Sequence, residues 1–173
     1  LVSTTELNIK NLLIKPARGG IPAIDKKLID KIKKFAKANQ YNQKIAFMVD
    51  YSMHSGKQRF YVVNLEKDSI IHKGLVCHGD CKGQNKKGIP KKFSNTSGSN
   101  CTSLGMAVMA ERAYSSWGKN YKYWIDGLEE GNKNMRSRVV VLHSWEGVPD
   151  EEIYPEALAM SWGCPTVSIA FLA

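Results

Sequence analysis

The chain has 173 residues, of which 43% are hydrophobic and 9% are aromatic, enough to build one domain with a buried core. No apolar run approaches the roughly 18 residues that a membrane-spanning helix needs, so no transmembrane segment is expected. The chain does not open on the charged and then apolar pattern of an export signal. Its location therefore has to be inferred from its function.

The formal net charge of +9 and the isoelectric point near 9.4 predict attraction to an acidic partner. Lysines are concentrated in residues 26–37 and 82–92. Neither segment interleaves aromatic with basic residues as single-strand binding grooves do, so no nucleic-acid partner is expected. For most of these lysines a solvated basic surface is the simpler interpretation.

The first element in chain order is a helix. Apolar residues recur at helical spacing over residues 24–38, lysines occupy the opposite face, and Pro22 lies near the start. This pattern predicts an amphipathic helix packed on a core. Short runs rich in branched and aromatic residues then predict consecutive antiparallel strands at residues 45–51, 60–65 and 70–76.

The second half of the chain mixes a long loop with further strands. Residues 80–99 are polar and rich in glycine and lysine, which predicts a long loop. Residues 104–114 are ambiguous between helix and strand. Residues 121–128 and 138–142 predict strands, and the Val-Val-Val-Leu run of the second indicates burial on both faces. The pattern predicts one β-rich domain with an N-terminal helix.

Two reactive side chains stand out near the C-terminal end. The strand predicted at residues 138–142 leads directly to His143, and Cys164 follows later between Gly163 and Pro165. Gly163 allows a tight backbone path, and Pro165 has no N–H. If Cys164 attacks a carbonyl, the oxyanion must be met by the amides of residues 162–164.

A thiol becomes a useful nucleophile when an imidazole lies beside it. His143 is the best placed of the four histidines, because the others fall in a hairpin (His54), in a strand (His72) and at a loop entrance (His78). The competing interpretation is that a cysteine between glycine and proline is structural, which is the commoner case.

The order of motifs resembles a known family. His143-Ser144, an intervening stretch and then Ser161-Trp162-Gly163-Cys164 is similar to the signature of the L,D-transpeptidases, in particular the murein L,D-transpeptidase catalytic domain proteins. The likeness covers roughly residues 76–167. It includes these further blocks in the family's order: His78-Gly79, Phe93-Ser94-Asn95, Gly98-Ser99, Ser103-Leu104-Gly105, Gly127-Leu128-Glu129, Gly131-Asn132 and residues 138–143.

The resemblance implies a fold, a chemistry and a substrate. It implies a mainly β catalytic domain, a sandwich or partly closed barrel, over residues 41–173, with residues 1–40 as a helical segment packed on it. It implies that Cys164 attacks a peptidoglycan peptide stem and that His143 is the general base and acid. The Ser144 carbonyl would orient the imidazole, and Gly163 would belong to the oxyanion hole. It further implies a monomer without a cofactor in the periplasm or cell envelope.

Substrate contacts are expected at several positions, each with a structural alternative. Polar side chains of the loop and its end would line the groove for the donor stem, although such residues often satisfy their own turns. Arg138 would bind a stem carboxylate or simply end the sheet with a charge. Trp162 stands where many family members have a histidine. The full set is His78, Ser94, Asn95, Ser99, Ser103, Arg138 and Trp162.

The remaining cysteines suggest a disulfide more than a metal. Cys77 and Cys81 flank His78, but the segment lacks the second ligand pair of a closed zinc site, so no metal is expected. In an oxidising envelope compartment, two of Cys77, Cys81 and Cys101 would form a disulfide, with the pairing open.

Two other functions remain open from the sequence. The same Cys164 and His143 would serve an L,D-carboxypeptidase or a hydrolase of wall linkages, because the acceptor is chosen by groove shape and not by the motif. Alternatively, the chain would be a silent module whose basic face binds an acidic wall polymer.

Overall fold

The structure, a computed structural model, describes residues 26–173, and the expected positions Pro22 and Ile24 lie outside them. Within that part, no helix is long and apolar enough to cross a membrane. The prediction of a mainly β domain with an N-terminal helix is confirmed. In chain order the elements are α1 (Lys26–Ala38), β1 (Ile45–Val49), β2 (Phe60–Asn64), β3 (Ser69–Gly74), β4 (Ala107–Tyr114), β5 (Tyr121–Gly127), β6 (Val141–Ser144), β7 (Thr166–Val167) and α2 (Ile169–Leu172).

The strands form two sheets, which do not close into a barrel in the described part of the chain. One sheet has the order β1-β2-β3 and the other has the order β4-β5-β6-β7. All pairs are antiparallel except β6 with β7, which is parallel. The main core joins both sheets and includes Val49, Phe60, Val76, Met109, Ile125, Leu142 and Val167. This arrangement corresponds to the sandwich alternative.

Alternation of side chains lets the first sheet bury both faces. In β1, Ala46 and Met48 pack toward α1, while Phe47 and Val49 point into the core between the sheets. The helix contributes its apolar stripe, including the fully buried Ile29, to the outer cluster. The layers are therefore helix, sheet and sheet.

One strand begins later in the chain than the sequence predicts. Residues 104–114, ambiguous in the sequence, contain β4, but the strand predicted at residues 138–142 begins only at Val141. The chain first turns back, because the Val140 amide donates to the Met135 carbonyl at 2.9 Å. Val139 has a left-handed φ of 58° and is 53% exposed. Burial on both faces is therefore wrong for Val139.

The long loop at residues 80–99 contains no helix or strand and is held internally. Asn85 is 3% exposed, and its amide group donates to the Gly79 and Lys92 carbonyls, each at 2.9 Å. The expected disulfide is confirmed as Cys81–Cys101. Cys77 is buried and forms no disulfide.

Replacing Cys81 and Cys101 together by serine should lower the free energy of unfolding by about 3 kcal/mol, the usual effect of opening a loop of this length. Urea unfolding of the oxidised proteins measures the change. The matched control is the wild type under reductant, which should approach the variant. Equal stability of the oxidised wild type and the variant would contradict the role assigned to the bridge.

Candidate active site

The site forms where β6 and β7 run side by side. His143 in β6 pairs with Thr166 in β7, and Cys164 precedes Thr166 by two residues. Parallel pairing thus brings together two side chains that are 21 positions apart in the sequence. Both residues are only partly exposed.

The Ser144 carbonyl fixes the position of one proton on the His143 ring. Its Nδ1 lies 3.1 Å from the Ser144 carbonyl, an acceptor only, so Nδ1 carries the proton and donates it. Its Nε2 then accepts from the Thr166 hydroxyl at 3.0 Å. Burial lowers the pKa of the ring, as does the charge of Lys122, against the opposing effect of the Ser144 hydrogen bond. The ring is therefore a neutral base with Nε2 facing the site.

Strand pairing places Cys164 and His143 on neighbouring segments, and no hydrogen bond joins the thiol to the imidazole. The Cys164 thiol donates to the Val139 carbonyl at 3.6 Å. The Thr166 hydroxyl has a second acceptor, the Cys164 carbonyl, at 3.4 Å. When this hydroxyl turns toward that carbonyl, Nε2 is free to accept another hydrogen bond.

The thiol rests in its protonated form. Burial raises the pKa of Cys164, and the Val141 backbone together with the charges of Arg138 and Lys122 counteracts the rise. With a protonated thiol, nucleophilic attack by Cys164 requires a base that removes the proton.

A tight turn presents Cys164. Ser161 Oγ accepts from the Gly163 amide at 3.2 Å and donates to the Cys164 carbonyl at 2.6 Å. Gly163 has a φ of 111°, and a Cβ there would lie 2.7 Å from the Cys101 carbonyl oxygen. Because the Gly163 amide is already used, the amides of Trp162 and Cys164 are the ones without a protein acceptor. They are the donors available to an oxyanion.

Arg138 orders the loop wall beside the thiol. Its guanidinium donates to the Ser94 carbonyl at 2.9 Å, the Cys101 carbonyl at 2.7 Å and the Ser99 hydroxyl at 3.2 Å. It also contacts Ser103 Oγ. The Nε atom is buried without a partner, and burial lowers the pKa of the group. Arg138 thus joins three of the predicted substrate-binding serines into one unit next to Cys164.

The other predicted substrate contacts differ in their surroundings: some side chains have structural partners, and one is exposed. Asn95 is used structurally, since its side chain donates to the Glu130 carbonyl and accepts from the Asn134 amide, both at 3.1 Å. Trp162 is 81% exposed and can meet a ligand. His78 is 1% exposed, so substrate contact by His78 is corrected to a structural role. Its ring accepts from Arg59 at 2.9 Å and donates to the Lys86 carbonyl at 3.2 Å.

Sequence reasoning missed Thr166, Ser161 and Lys122. The position of Thr166 two residues after the nucleophile was a usable signal, because alternate residues of a strand share a face. Lys122 could not be found from the sequence, since only the pairing of β5 with β6 brings it opposite His143.

Within residues 26–173 no cluster of His, Cys, Asp and Glu is arranged to hold a metal ion. A cavity of about 30 Å³ borders Gly163, Pro165, Thr102 and Ser103.

The family of this chain follows from a match over most of its length. The model of the L,D-transpeptidase catalytic domain matches residues 21–173, and the chain therefore belongs to that family. No curated protein and no solved structure matches it. Membership supports a peptidoglycan-related transpeptidase role, an acyltransferase activity and a place of action at the cell wall.

Gly163→Ala should lower activity at least tenfold and the free energy of unfolding by about 1–3 kcal/mol, because alanine is strained at this φ and its Cβ meets Cys101. Turnover assays and urea unfolding measure both effects. Gly83→Ala is the control, since Gly83 also has a left-handed φ, of 77°, but open space around it. If both variants keep full activity, close packing at Gly163 is not required.

The fold should lose stability in mild acid through His78. Burial lowers the pKa of His78 to about 4 from the ordinary value of 6.5. The unfolded chain therefore binds this proton first, and stability present above pH 6.5 is lost as the pH falls toward 4, by about 3 kcal/mol. Urea unfolding against pH measures the slope, which His78→Gln should flatten. An unchanged slope in the variant would assign the effect elsewhere.

Proposed function

We propose that this protein is a peptidoglycan L,D-transpeptidase that forms cross-links through an acyl-enzyme on Cys164, with His143 as general base and acid. The observation that carries the proposal is the position of His143 at the β6–β7 pairing, with Nδ1 bound to the Ser144 carbonyl and Nε2 bound to Thr166, two residues after Cys164. The exposed Trp162 and the unit of Arg138 with its serines are proposed to line the donor groove. The periplasm is the proposed compartment.

In the first half-reaction the stem acylates the enzyme. His143 Nε2 takes the proton of Cys164 as sulfur attacks the stem carbonyl, and the amides of Trp162 and Cys164 donate to the oxyanion. The intermediate then collapses. The C–N bond breaks, the terminal D-amino acid leaves with the proton from Nε2, and a thioester remains.

In the second half-reaction an amine takes the acyl group. The amine of a neighbouring stem attacks the thioester while Nε2 accepts one of its protons. A C–N bond forms, the C–S bond breaks, and the proton returns from Nε2 to sulfur. If water replaces the amine, the same residues give a trimmed stem and the protein is a carboxypeptidase.

Cys164→Ala should abolish cross-linking without unfolding the protein, because no other group provides the sulfur that carries the acyl chain. Purified disaccharide tetrapeptides are incubated with each protein, and mass spectrometry detects cross-linked dimer, trimmed tripeptide and the acylated enzyme. Circular dichroism checks folding.

Cys77→Ala is the matched control, since Cys77 is the other cysteine outside the disulfide and is buried away from solvent. This variant should keep the product of the wild type. Dimer formation by Cys164→Ala would refute the proposal. If the wild type yields only trimmed tripeptide, the protein is a hydrolase and not a transpeptidase.

A further inference from the structure

One row of side chains crosses the second sheet on the face that carries the site. Thr166 in β7 pairs with His143 in β6, His143 with Lys122 in β5, and Lys122 with Ala113 in β4. Directly paired residues point to the same side of a sheet, and the hydrogen bond of His143 to Thr166 fixes which side this is. Lys122 is therefore next to the imidazole, with only the methyl group of Ala113 beyond it.

The Lys122 ammonium packs on an aromatic ring and forms no ion pair with a described residue. It lies 5.1 Å from the centroid of the Trp124 ring, two residues along β5 on the same face. None of the ion pairs of the described residues includes it. Its charge acts on both His143 and Cys164. A cation left open beside the reacting atoms can bind an anionic group of a ligand.

The neighbouring cation Arg136 differs from Lys122 because it is paired with acidic side chains. Arg136 also lies over Trp124, at 5.2 Å, but it is paired with two carboxylates, those of Glu111 and Asp126. Glu111 and Asp126 are therefore used by Arg136, whereas no ion pair of the described residues includes Lys122. The difference separates a structural cation from one that is available to a substrate.

We propose that Lys122 binds the carboxylate on the carbon beside the reacting amine, which belongs to the leaving D-amino acid in the first half-reaction and to the acceptor in the second. The inference rests on the proposed function. In both half-reactions the amine exchanges its proton with His143 Nε2, so the incoming amine occupies the place of the departed one. A carboxylate on the carbon that carries this amine then lies beside His143, toward Lys122, which is the charged neighbour of His143 in the row.

The test compares ligands that differ only in this carboxylate. Donors are a tetrapeptide stem and its C-terminal carboxamide, and acceptors are a D-amino acid and its amide. The wild type should prefer each carboxylate form by about tenfold or more in kcat/KM, the value of one charge-assisted hydrogen bond. Lys122→Gln should reduce this preference to within about twofold, and Lys122→Arg should retain most of it.

Lys73→Gln is the matched control, because it removes the same charge from an exposed strand position of the other sheet. It should leave the preference unchanged. If Lys122→Gln slows both forms equally, or if the wild type shows no preference, the carboxylate subsite is refuted while the transpeptidase assignment stands. If the wild type forms no thioester with any donor, the proposed function fails and the subsite fails with it.

Discussion

The parallel pairing of β6 with β7 is the contact on which the rest of the site depends. The strand β7 has only two residues, and neighbouring segments hold it: the Cys77 amide donates to the Thr166 carbonyl at 2.9 Å, and the Trp145 amide to the Val167 carbonyl at 3.0 Å. Without this short strand, Cys164 has no fixed position relative to His143. A small number of backbone hydrogen bonds therefore sets the position of Cys164 relative to His143.

A second set of contacts holds the wall opposite the imidazole. The Cys101 carbonyl accepts from Arg138 and lies against Gly163, and Cys101 is itself bound to Cys81. The disulfide, the guanidinium and the turn of the nucleophile thus share one residue. Because a glycine is required for that approach, the turn and the loop wall form a single packed unit.

The electrostatics of Cys164 and His143 favour the uncharged form of both groups. Burial raises the pKa of Cys164 and lowers that of His143, so both groups are uncharged before substrate binds. Arg138 and Lys122 lie close enough to the thiol for their charges to oppose the rise in its pKa. Our proposal assigns Lys122 a second use, in which the same cation holds a carboxylate of the substrate.

The sequence by itself determined the mainly β fold, the amphipathic helix and the long loop, because these depend on local periodicity, and its motifs identified Cys164 and His143 as candidates. Tertiary structure decided the rest. Val139 turned outward because a turn to residues 134–136 precedes β6, and His78 became a buried partner of Arg59. Lys122 joined the site only through strand pairing, since residues far apart in sequence become neighbours by register, which no local pattern encodes.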